Sequence, residues 1–305
     1  MDTILNILND GDECFNATVD KKEGVRKKKC KSIKVEPVIK IKDDYSEPPH
    51  PNLLRMPFSL LLVAPKGSGK TTILHNLLVW YYSYFDNVFI FSPTIHMDLK
   101  WKKLIERLQI PPENLFTSYR ESEVSNLMGI IKDYNNCVEE NNDKIKCLLI
   151  FDDIIEQLPK GKKISSLNKL AMNHRHFNIS HIIVSQSFKK IDPVVRSNTT
   201  GLVLFNTDNS AERAKIVEEL CGNLGRAKFE KSWIDCVSKK YGFMFLNYDT
   251  RLIYENFDRV IGDLDCEPEY LFGKLDRQKN NRKRLGYKKS DKTEEPESDS
   301  DSDTE

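Results

Sequence analysis

The chain has 305 residues, with 47 lysines and arginines against 46 aspartates and glutamates and a formal net charge of +1. That length accommodates one large domain or two small ones, with core enough for a full α/β sheet. The near-neutral total hides segregated blocks, basic at 26–31 and 279–289 and acidic and Ser-rich at 294–305, so the blocks say more about partners than the total does. The 7 cysteines (Cys14, Cys30, Cys137, Cys147, Cys221, Cys236 and Cys266) are scattered without CxxC spacing. This argues against a disulfide framework or a structural zinc and predicts a reducing compartment. His174 and His176 have no cysteine or carboxylate cluster beside them and make no metal pattern. No apolar run approaches ~18 residues, and the start lacks a basic stretch followed by an apolar one. Neither a transmembrane helix nor a signal peptide is expected.

Residues 1–45 are polar and charged and read as a flexible segment, with a short amphipathic turn at 1–8 and an edge strand at 35–41 as the local options. Pro48, Pro49 and Pro51 mark where a core domain over 46–272 begins. A short, continuous apolar run at 58–64 predicts a strand buried on both faces. A helix follows to about residue 84. A second strand at 88–93 is stopped by Pro93, and helices are predicted at 99–108 and 121–140, the latter with Ser122 or Glu121 near its cap. A brief strand at 115–117 lies between them. Strands at 147–153, 181–186 and 201–205 alternate with a helix at 167–174, and helices at 211–220 and 226–237 precede a closing hairpin at 242–246 and 251–254. Alternation of this kind predicts right-handed βαβ units and a parallel sheet, an α/β fold. Residues 273–305, basic and then acidic, carry no core pattern and read as a disordered tail.

The first strand runs into Ala64-Pro65-Lys66-Gly67-Ser68-Gly69-Lys70-Thr71-Thr72, and then into a helix. Strand, Gly-rich loop and helix in that order are the context a phosphate-binding loop requires. Gly67 and Gly69 let the backbone approach a polyphosphate without an intervening Cβ. Amides at the helix start point at the phosphates, and the helix dipole favours their charge. Lys70 is placed to reach the β and γ phosphates of ATP and the Thr71 hydroxyl to hold Mg²⁺. Ala64 stands where the strict pattern has glycine, which is tolerable if its φ stays negative.

Four further positions carry chemistry. Asp152 ends a buried strand, where open α/β sheets bind ligands, and is a candidate for Mg²⁺. Asp153 follows it and can polarise a water attacking the γ-phosphate, with Glu156 as the competing candidate if Asp153 points away. Gln186 ends the next long strand; its amide suits a sensor of the γ-phosphate and the attacking water, or an ordinary strand-end hydrogen bond. Arg175, at a helix–strand junction, suits a finger inserted into a neighbour's ATP site, and on its chemistry alone reads equally as a surface arginine.

These pieces together resemble a known family. The phosphate loop, the strand ending in Asp152-Asp153, the block Asn173-His174-Arg175-His176-Phe177-Asn178-Ile179-Ser180, the strand ending at Gln186 and the segment Pro193-Val194-Val195-Arg196-Ser197-Asn198 are similar to the DNA-packaging ATPases of poxviruses and related large DNA viruses. Those enzymes belong to the FtsK/HerA branch of P-loop motors. The likeness covers about 55–255; Ala64, and Asp153 where many relatives carry Glu, depart from the pattern. It implies a P-loop NTPase three-layer fold with a mainly parallel central sheet, of the ASCE, RecA-like kind. It also implies ATP hydrolysis with Mg²⁺, translocation of double-stranded DNA into a capsid, capsid or portal-vertex partners, a homo-oligomeric ring, hexameric or similar, with Arg175 acting in trans, and a virion or host-cytoplasm location. A helicase or replication motor on the same core is the alternative, and a nucleotide-gated scaffold a third. DNA-contacting loops are expected at 116–142 or 160–163.

Overall fold

The structure, a computed structural model, describes residues 45–138, 144–158 and 165–265. The expected turn at 1–8, the edge strand at 35–41, the loop at 160–163 and the charged blocks at both ends lie outside these residues.

Strand β1 (Ser59–Val63) is buried at every position. Its uninterrupted Leu60-Leu61-Leu62-Val63 demands this, because successive side chains leave a sheet on opposite faces and an all-apolar strand needs both faces covered. Leu61 and Val63 pack into a core with Val124 and Met128 of α3 (Glu121–Cys137), Leu167 and Leu170 of α4 (Ser166–Phe177), Val195 of α5 (Pro193–Ser197), Ile216 of α6 (Ser210–Leu220) and Trp233 of α7 (Arg226–Val237). Leu60 and Leu62 face the other way, onto Leu74 and Leu77 of α1 (Lys70–Tyr81) and Trp101 and Leu104 of α2 (Leu99–Leu108). The result is a three-layer sandwich.

The remaining strands are β2 (Asn87–Phe91), β3 (Leu115–Phe116), β4 (Cys147–Asp152), β5 (Ile179–Ser185), β6 (Gly201–Leu204), β7 (Met244–Asn247), β8 (Leu252–Glu255) and β9 (Arg259–Asp263). Among the described residues they form one sheet in the order β3-β2-β4-β5-β1-β6-β7-β8-β9. The first six in that order pair in parallel and the last three run antiparallel. Because β5 lies between β4 and β1, the strand ending at Gln186 separates the phosphate loop from Asp152 by one position in the sheet.

Several boundaries differ from the expectation, each for a local reason. Helix α3 begins at Glu121, so Glu121 and Ser122 lie near its cap as expected; the capping residue itself is Arg120, whose side chain makes no cap bond. Glu121 is otherwise engaged: its carboxylate accepts from the Ser166 amide and from the Tyr119 hydroxyl at 2.7 Å, joining α3 to the start of α4. The expected DNA-contacting loop at 116–142 is mostly helix α3. Helix α4 runs on to Phe177, where Asn178 (φ 54°) turns the chain into β5. The closing hairpin has a third strand, β9, joined to β8 through a register shift at Ile253/Tyr254. No helix among the described residues is long and apolar enough to cross a membrane.

Two imidazoles sit inside the fold. The His181 ring, fully buried on β5, is 2.8 Å from the Ser59 hydroxyl, and the His174 ring lies against it at 5.6 Å between centroids. Burial holds both below the ordinary histidine value, with Arg175 and His176 adding to the effect at His174. The unfolded chain therefore takes up protons near pH 6.5 that the folded chain refuses, and stability falls as pH drops below that value. Asp152 and Asp249, whose carboxyls burial pushes up, act in the opposite sense only below their own raised values. Urea unfolding is expected to lose up to about 1.4 kcal/mol per pH unit per imidazole between pH 6.5 and 5.5. His174→Gln is expected to remove its share of that slope.

Candidate nucleotide-binding site

The carboxyl end of β1 delivers the loop while the sheet is still paired: the Ala64 amide donates to the Ser185 carbonyl at 3.0 Å. Gly67 (φ 81°) and Gly69 (φ 101°) take the left-handed region, and Ala64 does not, so its side chain imposes no strain. The Ser68 hydroxyl donates to the Pro65 carbonyl at 2.7 Å and closes the turn. Helix α1 then begins with no side-chain cap and no acid in its first turn. Its free amides, with the positive end of the dipole, face a cavity of about 470 Å³ lined by Lys66, Gly67 and Gly69 through Ile73.

Lys70 is half-buried and its ammonium pairs with Asp153 Oδ2. The same oxygen accepts from the Gln186 side-chain amide at 3.1 Å. Asp153 reaches this position from a left-handed backbone (φ 54°), with its amide donating to the Val184 carbonyl at 3.2 Å. It points into the site, toward Lys70. Asp152, just before it, is 7% exposed and has Oδ2 held by the Ser92 hydroxyl at 3.1 Å and the Trp101 indole N–H at 3.4 Å. Burial pushes the Asp152 carboxyl up, and the nearby Lys70 charge opposes that. The Thr71 hydroxyl and this carboxylate are hard oxygen donors, a set that fits Mg²⁺ completed by phosphate oxygens and water. Among the described residues no group of three or more His, Cys, Asp and Glu could hold a metal by itself.

Two of the predicted residues stand outside this group. Glu156 follows on a short turn and pairs with Lys190 on the exposed surface. Arg175 lies in the last turn of α4, before β5 begins, whereas Gln186 lies just past its end. Seven residues of strand span about 23 Å, so Arg175 occupies the opposite edge of the sheet from Lys70. Its guanidinium, 54% exposed, is 4.0 Å from Asp249 and 5.3 Å from the centre of the Tyr45 ring.

Sequence reading missed the residues that brace the site. Ser92 and Trp101 hold Asp152, and the strand-ending Ser92-Pro93 was the visible hint for the first. The loop after β5 is held by Glu212, a buried carboxylate in the first turn of α6. It accepts from the amides of Phe188 and, at 3.3 Å, Lys189, and from the Ser187 hydroxyl at 3.2 Å. Phe205 and Tyr241 line the cavity beside the loop.

A family profile described as Poxvirus A32 protein matches residues 47–226. DNA packaging protein OPG160 of Variola virus is 32% identical over 164 residues, covering 51% of this chain and 55% of that protein. Protein L437 of Acanthamoeba polyphaga mimivirus is 23% identical over 187 residues, covering 58% of this chain and 63% of that one. The chain spans about half the length of the OPG160 relatives it matches, 55% for Variola virus. The genome packaging NTPase B204 of Sulfolobus turreted icosahedral virus 2, in complex with AMP, superposes with a TM-score of 0.49 at 16% identity, covering 65% of this chain and 96% of that one.

Removing Glu212 orphans buried amides, at about 1–3 kcal/mol for each. Glu212→Ala is therefore expected to lower the unfolding free energy by about 2–4 kcal/mol. Glu156→Ala, which breaks an exposed pair, is expected to change it by less than about 0.5–1 kcal/mol. Urea denaturation of the two variants beside the parent checks the contrast.

Proposed function

The chain belongs to the poxvirus A32 protein family, and we propose on that footing that it is an ATP-driven motor moving double-stranded viral DNA into a capsid, with residues 46–272 as its motor domain. The observation that carries the reading is the Lys70–Asp153–Gln186 group beside the open start of α1. A cation, a carboxylate and an amide meet there at the mouth of an anion-binding cavity. The packaging role is supported by the name of the Variola virus relative, and the site geometry supplies the engine such a role requires.

In this reading the γ-phosphate replaces the Asp153 carboxylate on Lys70. Residues 64–72 wrap the phosphates, with amides of the loop and of the first turn of α1 directed at them. Thr71 and Asp152 would hold Mg²⁺, which when bound would offset the negative charge of the phosphates. Asp153, displaced from Lys70, accepts the proton of the attacking water, and Gln186 orients that water. Arg175 cannot serve the site of its own subunit from the far edge of the sheet. It serves a neighbour's, in a ring of copies stacked around the DNA, and capsid components hold the ring at the portal.

Lys70→Ala is expected to abolish ATP hydrolysis, because Lys70 is the cation set beside Asp153 and Gln186 at the start of α1. Asp153→Asn removes the carboxylate that competes for Lys70, so it is expected to bind ATP at least as tightly as the parent. Its turnover is expected to fall by roughly 10²–10⁴-fold, the contribution of a positioned base. Normal turnover in Lys70→Ala protein ends the proposal, and a large loss in Glu156→Gln with a small one in Asp153→Asn moves the base to Glu156. Stimulation of the ATPase by duplex but not single strands, without strand separation, distinguishes packaging from a helicase.

Arg175→Ala is expected to bind nucleotide and assemble but to lose on the order of 10³–10⁵ in rate. Mixed with Lys70→Ala protein it should regain part of the activity, since some interfaces then pair an intact finger with an intact loop. Co-assembly without recovery shows that Arg175 does not act across the interface.

A further inference from the structure

The wall of the phosphate cavity beside the loop carries two aromatic rings. Tyr241 leaves the end of α7 in the turn before β7, held at φ 66°, and its ring is directed over the phosphate loop. A Cβ placed on Gly69 would come within 3.2 Å of Tyr241 Cδ1, so the ring lies as close to the loop as a glycine there permits. The turn that presents it is closed tightly. The Gly242 amide donates to the Lys239 carbonyl at 2.9 Å, and a Cβ on Gly242 would meet the Cys236 carbonyl oxygen at 2.3 Å. Phe205, at the end of β6, lines the same cavity and is fixed from behind by Phe243 at 5.3 Å between ring centroids. Tyr241 is nevertheless 57% exposed, so its ring is open to a ligand in the cavity.

We infer that Tyr241, backed by Phe205, is the platform on which the base of the bound nucleotide stacks. The inference rests on the nucleotide reading above and extends it to a part of the ligand that Lys70 and the loop do not touch. The polar groups lining the cavity are those of the loop, together with Lys100, and they match phosphate. What the Tyr241 wall offers is a π-face. The Lys240 ammonium lies 5.1 Å from the centre of the ring, a cation–π contact that helps hold it. A nucleobase has a flat face of the same kind, and stacking gives affinity without reading the base edge. The site accordingly grips purine nucleotides as a class, with adenine and guanine treated alike.

The test separates base from phosphate by using two ligands that share a diphosphate: ADP and inorganic pyrophosphate, titrated calorimetrically into the full chain. Tyr241→Ala is expected to weaken ADP, and GDP with it, by about tenfold, and to leave pyrophosphate binding unchanged. Tyr241→Phe should bind ADP as the parent does, because the ring and not the hydroxyl is used. Tyr241→Leu, which keeps the bulk and loses the π-face, should repeat the selective loss and covers the case in which the alanine variant fails to fold. Parent-like ADP binding by both Tyr241→Ala and Tyr241→Leu overturns the inference. So does an equal loss of ADP and pyrophosphate, since the ring would then be bracing the loop. Lys70→Ala, run beside them, is expected to lose both ligands. If it loses neither, the phosphate-loop reading fails, and the ADP-to-pyrophosphate contrast at Tyr241 still decides the platform on its own.

Discussion

A lysine ammonium tucked against the open amino end of a helix cannot stay without a counter-charge, and most of the site's geometry comes from how that need is met. The Lys70 side chain is 13% exposed, and the dipole of α1 makes its surroundings more positive still. In this structure the anion is Asp153. To reach Lys70 the chain turns through a left-handed backbone immediately after β4, at a cost of about 1–2 kcal/mol for a residue with a Cβ, less for aspartate than for most. The strain persists because the charge pair and the Gln186 hydrogen bond converge on one carboxylate oxygen. A triphosphate would offer Lys70 a stronger anion and leave Asp153 free, so the strained turn and the phosphate site are two sides of one arrangement.

The sheet order makes this convergence possible. With β5 inserted between β1 and β4, residues from three consecutive sheet positions end at the same edge: the loop from β1, Gln186 from β5 and the two aspartates from β4. Parallel pairing is what brings three carboxyl ends together, and both faces must be covered by helices for such strands to be buried. The same geometry sends the other end of each strand away. Arg175 precedes β5 and so lies about a strand's length from the phosphates. Its neighbours there are Tyr45 and the buried carboxylate of Asp249, which Arg55 and Arg175 together draw back toward the ionised form. A single copy of the chain therefore carries Gln186 and Arg175 at opposite ends of β5.

How much of this could be read in the sequence depended on whether the signal was local. Unbroken apolar runs such as Leu60-Leu61-Leu62-Val63 and Leu148-Leu149-Ile150-Phe151 announced strands buried on both faces, and the polar residues that end each run were legible as the chemical end of the strand. Strand β9 was missed because Arg259–Asp263 is largely half-exposed at the sheet edge and shows little alternation. Helix α5 was missed because five residues are too few to show a period, although Asp192 before Pro193 was a readable start: its carboxylate accepts from the Val194 amide at 2.8 Å. The bracing role of Glu121 at the start of α3 was not legible, because its carboxylate bonds a partner 45 residues away. Tyr241 lay in a turn with no motif, and only the fold brings it to Gly69.

The loop after β5 shows how the site is tied to the rest of the molecule. Gln186 is one residue from a segment whose amides and hydroxyl are gathered by Glu212, and Lys190, a little further on, pairs with Glu156 from the loop after β4. The Arg196 guanidinium continues the chain of contacts: it donates to the Ile191 carbonyl and to both oxygens of Glu219, which binds α5 to α6. Each contact involves a charged group, and Glu212 is buried where solvent does not replace it. Any displacement of Gln186 would act directly on the residues that Glu212 holds. Breaking those bonds would orphan buried amides at about 1–3 kcal/mol for each. Gln186 is therefore held in place through α6, whose Glu212 fixes the residues that follow it.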